Sequence, residues 1–133
     1  MKTARNPETV HAPVGRYVHQ IEVSGTSRLL FLSGQVGMRL DGTVPDDATE
    51  QLEIAYQNIV RNLEAAGLGL DDLVKVTIYL VHGSVLEEDM AKRRAAIDRV
   101  LGDRVVASTL VFVAALAAPR FKVEVDAWAV REA

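Results

Sequence analysis

The feature that most constrains this chain is an apolar run near the C-terminal end that leaves no face for water. Residues Val105 to Ala114 read VVASTLVFVA, with Val105, Ala107, Val111 and Val113 at one parity and Val106, Leu110, Phe112 and Ala114 at the other. Successive side chains of a strand point to opposite faces, so a strand with one solvated face alternates; this run is apolar on both and requires cover on both. Ser108 and Thr109 interrupt it near the middle. The next run, Phe121 to Val130, does alternate. Phe121, Val123, Val125, Ala127 and Ala129 share one side, and Lys122, Glu124, Asp126 and Trp128 the other. Acids two apart on a strand project to the same side, roughly 7 Å apart. A hydroxyl-bearing strand adjacent to a carboxylate-bearing one is where a site is expected.

Upstream, the first sixteen residues carry Pro7, Pro13 and Gly15 and read as an extended lead-in. Tyr17 to Val23 alternates as a half-buried strand, with Tyr17, His19, Ile21 and Val23 on one face. Ser24-Gly25-Thr26-Ser27 reads as a hairpin turn into a second strand, Leu29 to Leu32, which ends in Ser33-Gly34-Gln35. The period then changes. Leu52, Ala55, Ile59, Leu63 and Ala66 form one helical stripe, with Asp46, Asp47, Glu50 and Glu53 at its start and Gly67 just past its end, as helix termini prefer. Leu73 to Val81 alternates as a strand, and Leu86 to Leu101 is a second helix with Leu86, Met90, Ile97 and Leu101 along one side. The order β-β-α-β-α-β-β predicts one α+β domain over residues 1–133, two helices on one face of a small mixed sheet. Two helices cover only one face, so the strands that are apolar on both need cover from elsewhere. A second copy is the economical source, because large bare apolar patches are rare on monomers, and a homo-oligomer with packed sheets is expected.

Composition narrows the function classes. At 133 residues the chain is long enough to bury about two-thirds of its unfolded surface as one domain. Its net charge of −3 offers nothing that favours nucleic acid or an acidic membrane. The absence of cysteine excludes disulfides, thiolate metal sites and cysteine nucleophiles, and fits a reducing compartment. With no apolar leader and no run near 18 apolar residues, a soluble cytoplasmic protein is expected. His11, His19 and His82 fall in three different elements without ligand spacing, so no metal centre is expected. Gly34-Gln35-Val36-Gly37 and Gly67-Leu68-Gly69 lack the rest of any phosphate or dinucleotide fingerprint and read as a turn and a cap; no cofactor is expected. Lys92, Arg93, Arg94 and Arg99 follow three acids on one helix and read as a solvated, dipole-matched face.

The residues resemble the reactive-intermediate deaminase (RidA, or YjgF-like) family over nearly the whole chain. The matching segments are Ala12-Pro13-Val14-Gly15 with Tyr17; Leu30-Phe31-Leu32-Ser33-Gly34-Gln35; Gln57-Asn58-Ile59 with Asn62-Leu63-Glu64-Ala65-Ala66-Gly67; Asp72 to Leu80; and Lys122-Val123-Glu124-Val125-Asp126-Ala127. The resemblance implies a chorismate-mutase-like homotrimer with small-molecule pockets at its subunit interfaces. It also implies hydrolysis of small imines and enamines such as 2-aminoacrylate to a ketone and ammonia. By position it puts an acid/base glutamate at Glu124 and pocket-lining groups at Tyr17 and Ser33-Gly34.

One family residue is missing. The arginine that holds the substrate carboxylate falls, by the same match, on Ser108 of Ala107-Ser108-Thr109, and a polar residue of the second helix falls near Met90. A hydroxyl cannot supply the charge that a carboxylate needs in a partly buried pocket. The expected substrate is therefore neutral or less acidic, bound by Ser108 or Thr109 where the carboxylate would lie. Arg104 lies about 13 Å from Ser108 along a strand and cannot stand in; Arg16 is the candidate substitute cation. Asp126 reads as a second acid near Glu124 or as an ion-pair partner. The competing reading is a non-catalytic trimer that binds a metabolite or a protein. RNA cleavage, also attached to the family, finds little support in an acidic chain without a histidine pair.

Overall fold

The computed structural model describes residues 1–9, 11–13, 16, 18–25, 27–83 and 89–132. Its elements are β1 (Lys2–Arg5), β2 (Gln20–Val23), β3 (Ser27–Val36), α1 (Ala48–Ala65), a 3-10 turn (Leu70–Asp72), β4 (Leu73–Val81), α2 (Met90–Leu101), β5 (Ala107–Val113) and β6 (Val123–Glu132). Four strands form one sheet in the order β3-β6-β4-β5. β6 runs antiparallel to both β3 and β4, while β4 and β5 are parallel and joined through α2. The sheet is thus mixed, and both helices pack on one of its faces, as the hydrophobic periods predict.

Local chemistry sets the helix ends. Asp47 accepts from the backbone N–H of Thr49 at the start of α1, and Asp89 accepts from that of Lys92 at the start of α2. Gly67, at φ +71°, follows α1 in the left-handed conformation that favours glycine. The core is built from Leu52, Ala55, Tyr56, Ile59 and Leu63 of α1 against Val76, Ile78 and Leu80 of β4 and Val123, Val125 and Ala127 of β6. Ala96, Ile97 and Leu101 dock α2 onto the same core.

Four expectations need correction. The lead-in is not wholly extended: Lys2–Arg5 pairs antiparallel with Gln20–Val23 in a separate two-stranded sheet, from Lys2 opposite Val23 to Arg5 opposite Gln20. The hairpin expected across residues 24–27 therefore does not pair its two flanking strands with each other. β3 is longer than Leu29 to Leu32 because it continues past a bulge to Val36. The two-sided apolar run lies at the edge of the sheet as β5, and β4 separates it from β6, so the two runs expected side by side are not adjacent. The expected start of the second helix, residues 86–88, lies outside the described residues. No helix among the described residues is long and apolar enough to cross a membrane.

The sheet face away from the helices is apolar in part and bare. Leu29 is 62%, Phe31 61% and Trp128 52% exposed, and the Phe31 and Trp128 rings meet edge to face with centroids 5.0 Å apart. That is the unmet demand for cover legible in the apolar strands.

Under the helix face, a buried amide ties three distant segments together. The Gln51 side chain donates to the carbonyls of Pro45 (2.7 Å) and Arg120 (2.9 Å) and accepts from the Lys122 N–H (2.9 Å). It anchors the start of α1, the loop before it and the approach to β6. Gly37 fits against Gln51 so closely that a Cβ there would lie 2.5 Å from the Gln51 Cα.

Candidate functional site

The bare face carries a polar group at its centre. Side-chain alternation on β6 sends Val123, Val125 and Ala127 into the core and Glu124 and Asp126 to the open side. Register brings Tyr79 of β4 opposite Glu124, and Thr77 opposite both Asp126 of β6 and Thr109 of β5. The Tyr79 hydroxyl donates to Asp126 Oδ2 at 3.3 Å, and Lys75 Nζ donates to Thr109 Oγ1 at 2.6 Å. The negative charge of Asp126, followed by burial and that hydrogen bond, pushes the Tyr79 phenol above its ordinary range, and Glu124 adds to the effect. Burial draws the Lys75 ammonium down, opposed by the charge of Asp126. Two carboxylates, a phenol and an ammonium thus share one face.

The bulge in β3 seats Glu124. Between Leu32 opposite Ala127 and Gln35 opposite Val125, Ser33 and Gly34 together face the single residue Asp126. Gly34 is thereby brought against the Glu124 side chain: a Cβ at Gly34 would lie 2.6 Å from Glu124 Cδ and 2.8 Å from Oε2. Only a residue without a side chain leaves that carboxylate where it is. The sequence motif Ser33-Gly34 and the acid Glu124, 90 residues apart in the chain, meet here.

Ser108 lies elsewhere. It pairs with the core-facing Val76, so its side chain points to the helix side, whereas Thr109 points to the open side with Lys75. Ser108 lines a cavity of about 310 Å³ between β5 and α2, together with Tyr56, Met90, Arg16, Arg93 and Arg94. Ser108 and Glu124 of one chain are therefore on opposite faces of the sheet, while Thr109 of β5 and Asp126 of β6 line one depression on the open face with Lys75 and Thr77. Met90, near which the resemblance expects a polar residue, lines the same cavity as Ser108. Arg16, the candidate substitute cation, also lines it, with Nε donating to Asp98 Oδ1 at 2.6 Å and Nη2 to the Gly102 carbonyl. Arg104 instead pairs with Asp71 at 2.7 Å. Tyr17 lies outside the described residues.

Sequence reasoning missed three of these groups. Tyr56 sits one residue from the apolar stripe of α1, and its hydroxyl gave no signal. Arg93 and Arg94 read as solvated charge, yet both line the cavity. The histidines also need correction: His11 and His19 meet at 5.0 Å between ring centroids, and His19 Nε2 lies 2.7 Å from the His11 carbonyl.

Comparison with known proteins bears on what such a fold does. The endoribonuclease L-PSP family model matches residues 8–131. The RutC family protein YjgH of Escherichia coli is 47% identical over 51 residues, 38% of this chain and 39% of that protein. The 2-iminobutanoate/2-iminopropanoate deaminase of Dermatophagoides farinae is 33% identical over 70 residues, 51% of this chain and 52% of that one. The chain thus spans between about two-fifths and one-half of these curated relatives. Among solved structures, YyfB of the conserved Rid protein family from Yersinia pestis superposes with a TM-score of 0.83 at 28% identity, over 96% of this chain and 97% of that one. E. coli TdcF with bound serine superposes with a TM-score of 0.70 at 25% identity, over 98% and 96%.

Proposed function

The chain belongs to the endoribonuclease L-PSP family as a RidA/YjgF-like member, and from that premise we propose that it hydrolyses or tautomerises a small imine, enamine or related carbonyl-derived metabolite. The observation that carries the reading is the seat of Glu124: a carboxylate held against Gly34 by a bulge, next to Tyr79 and Asp126 on a face with room for a ligand. For an imine, Glu124 takes a proton from the attacking water as the C–O bond forms. That proton goes to the imine nitrogen to give the neutral carbinolamine; as the C–N bond breaks and ammonia leaves, the hydroxyl proton passes through Glu124 to the nitrogen and the carbonyl forms. Water supplies the oxygen.

The pocket is proposed to be completed by a second copy of the chain in a trimer. Leu29, Phe31 and Trp128 are bare, and Glu124 and Ser108 of one chain face opposite ways, so a neighbouring chain is needed to bring an acid to a Ser108-lined cavity. Tyr17, Ser33 and Gly34 are proposed to contribute to its walls, with Ser108 and Thr109 as hydrogen-bonding contacts. The substrate is neutral at its reacting carbon, because Ser108 offers no cation there, so 2-aminoacrylate is a poor substrate. The place of action is proposed to be the cytoplasm.

The test is a screen of neutral imines, enamines and enols for product release, with Glu124→Gln as control. Turnover that Glu124→Gln leaves unchanged would overturn the assignment. Ammonia release from 2-aminoacrylate at the rates of arginine-bearing relatives would overturn the substrate class.

A further inference from the structure

The cavity between β5 and α2 has a charge pattern that the proposed acid/base chemistry does not use. Tyr56 lines it and is 1% exposed, and no other described group of the cavity is bonded to its hydroxyl. Burial drives the phenol well above its ordinary range, only partly opposed by the positive charge of Arg16. The group therefore stays a neutral donor at any physiological pH. The cavity leaves room beside this donor for an acceptor supplied by a ligand. Ser108 adds a second hydroxyl to the lining, and Ile78 and Ile97 an apolar surface.

The remaining lining is cationic. Arg16 and Arg94 both line the cavity, and no carboxylate does among the described residues. Asp98 engages Arg16 through Nε, while Arg94 has no ion-pair partner among the described residues. Guanidinium forks bind planar oxyanions in bidentate geometry.

We infer that this cavity binds a small amphipathic acid, its carbonyl oxygen accepting from Tyr56 and Ser108 and its carboxylate held by Arg94 and Arg16, with a short hydrocarbon spacer on Ile78 and Ile97. This deepens the proposed function and rests on it in one respect, that the reacting carbon lies near Ser108. The acid group is absent beside that carbon and present at a distance from it. A chain without the strand arginine thereby still selects acids, but longer ones than 2-aminoacrylate.

Binding is measured by calorimetry on the full chain with three probes: levulinate, a keto acid with a two-carbon spacer; its methyl ester, which removes the charge; and pyruvate, which removes the spacer. Levulinate is expected to bind about tenfold or more tighter than either, a difference of about 1.4 kcal/mol. Arg94→Gln should abolish the preference for acid over ester. Tyr56→Phe, which deletes one oxygen and keeps the shape, should weaken levulinate at least several-fold, with thermal unfolding confirming that the variant is folded. Equal affinity for acid and ester, pyruvate binding as tightly as levulinate, or no binding of any probe would each overturn the inference. The readout does not depend on turnover. A chain that binds levulinate selectively yet hydrolyses nothing refutes the catalytic reading alone, and one that turns over neutral imines without the acid preference refutes this inference alone.

Discussion

Gly37 follows β3 and Gly34 lies in its bulge, each against a polar side chain, and the structure predicts that alanine at the two positions has different consequences. At Gly37 the new Cβ falls 2.5 Å from both Cα and Cβ of Gln51 and 2.8 Å from its Cγ. Carbon atoms pack at about 3.5–4.0 Å, so the overlap is about 1 Å. Its target is the backbone of α1, which cannot swing aside. Overpacking of this kind costs about 1–3 kcal/mol. Displacing Gln51 also strains the three hydrogen bonds to Pro45, Arg120 and Lys122, each worth about 1 kcal/mol. The reduced freedom of the unfolded chain returns about 0.4–1 kcal/mol. The net loss is about 2–5 kcal/mol, and at about 3–4 °C per kcal/mol for a chain of this length, Tm should fall by roughly 6–20 °C. At Gly34 the Cβ meets Glu124 Cγ, Cδ and Oε2, the outer part of a half-buried side chain that can rotate away. Gly34→Ala should therefore stay within about 1 kcal/mol of the parent, while moving the carboxylate and copying the turnover defect of Glu124→Gln. Urea and thermal unfolding at equal protein concentration decide the matter. If the two variants unfold alike, or Gly34→Ala is the weaker, the close-approach argument is wrong.

Other perturbations follow from the same geometry. Asp72 is buried and meets Arg131 through two contacts, at 2.6 and 3.2 Å, and the Gly69 N–H at 2.8 Å. Burial alone would raise its carboxyl, but these partners and the charge of Lys2 outweigh burial and hold it below the usual range. Asp72→Asn should cost about 1.5–3 kcal/mol at neutral pH. A depressed carboxyl contributes stability that is full above the unfolded value near 3.9 and is lost as pH falls through the folded one, so the gap in urea midpoints should close below about pH 4. Asp126→Asn should bring Tyr79 back toward the ordinary phenol range, seen as earlier phenolate absorbance in an alkaline titration; an unmoved curve would refute the Asp126–Tyr79 coupling. Phe31→Glu puts a charge into the bare patch with Leu29 and Trp128 and should reduce the sedimentation coefficient toward that of a monomer. An oligomer indifferent to it would show that this face is not the contact.

What the sequence made legible depended on the length scale of the interaction. β4 was readable to the residue, since Val74 to Leu80 alternate without interruption and the strand is covered by helices on one side only. The helix ends were readable because Asp47 and Gly67 act within one turn of themselves. The register between strands was not, because nothing local in Ser108 or Glu124 says that β4 lies between them. The bulge was also hidden: Ser33-Gly34 looks like the end of a strand, and only its pairing with β6 shows two residues facing one. That Ser108 falls where the family resemblance expects an arginine was a reading of the sequence alone. The cationic lining of its cavity was not legible, since Arg93 and Arg94 belong to a helix whose charge pattern is that of a solvated surface. Tyr56 was overlooked because an aromatic beside an apolar stripe looks like core, and its hydroxyl matters only through the empty space next to it.

The strand order carries a consequence for how the chain comes to be folded. β6 sits between β3 and β4 yet is synthesised after every strand it joins. Until it emerges from the ribosome, β3 has no partner in this sheet, and β4 has only β5 beside it. The nascent chain must then hold the apolar sides of α1, β3 and β4 without the strand that unites them, a state prone to association with other chains. Sheet closure is a late, long-range event of the kind that slows folding. A ribosome pause shortly before β6 would prolong that exposure, and a chaperone that holds the unfinished sheet would have its greatest effect there.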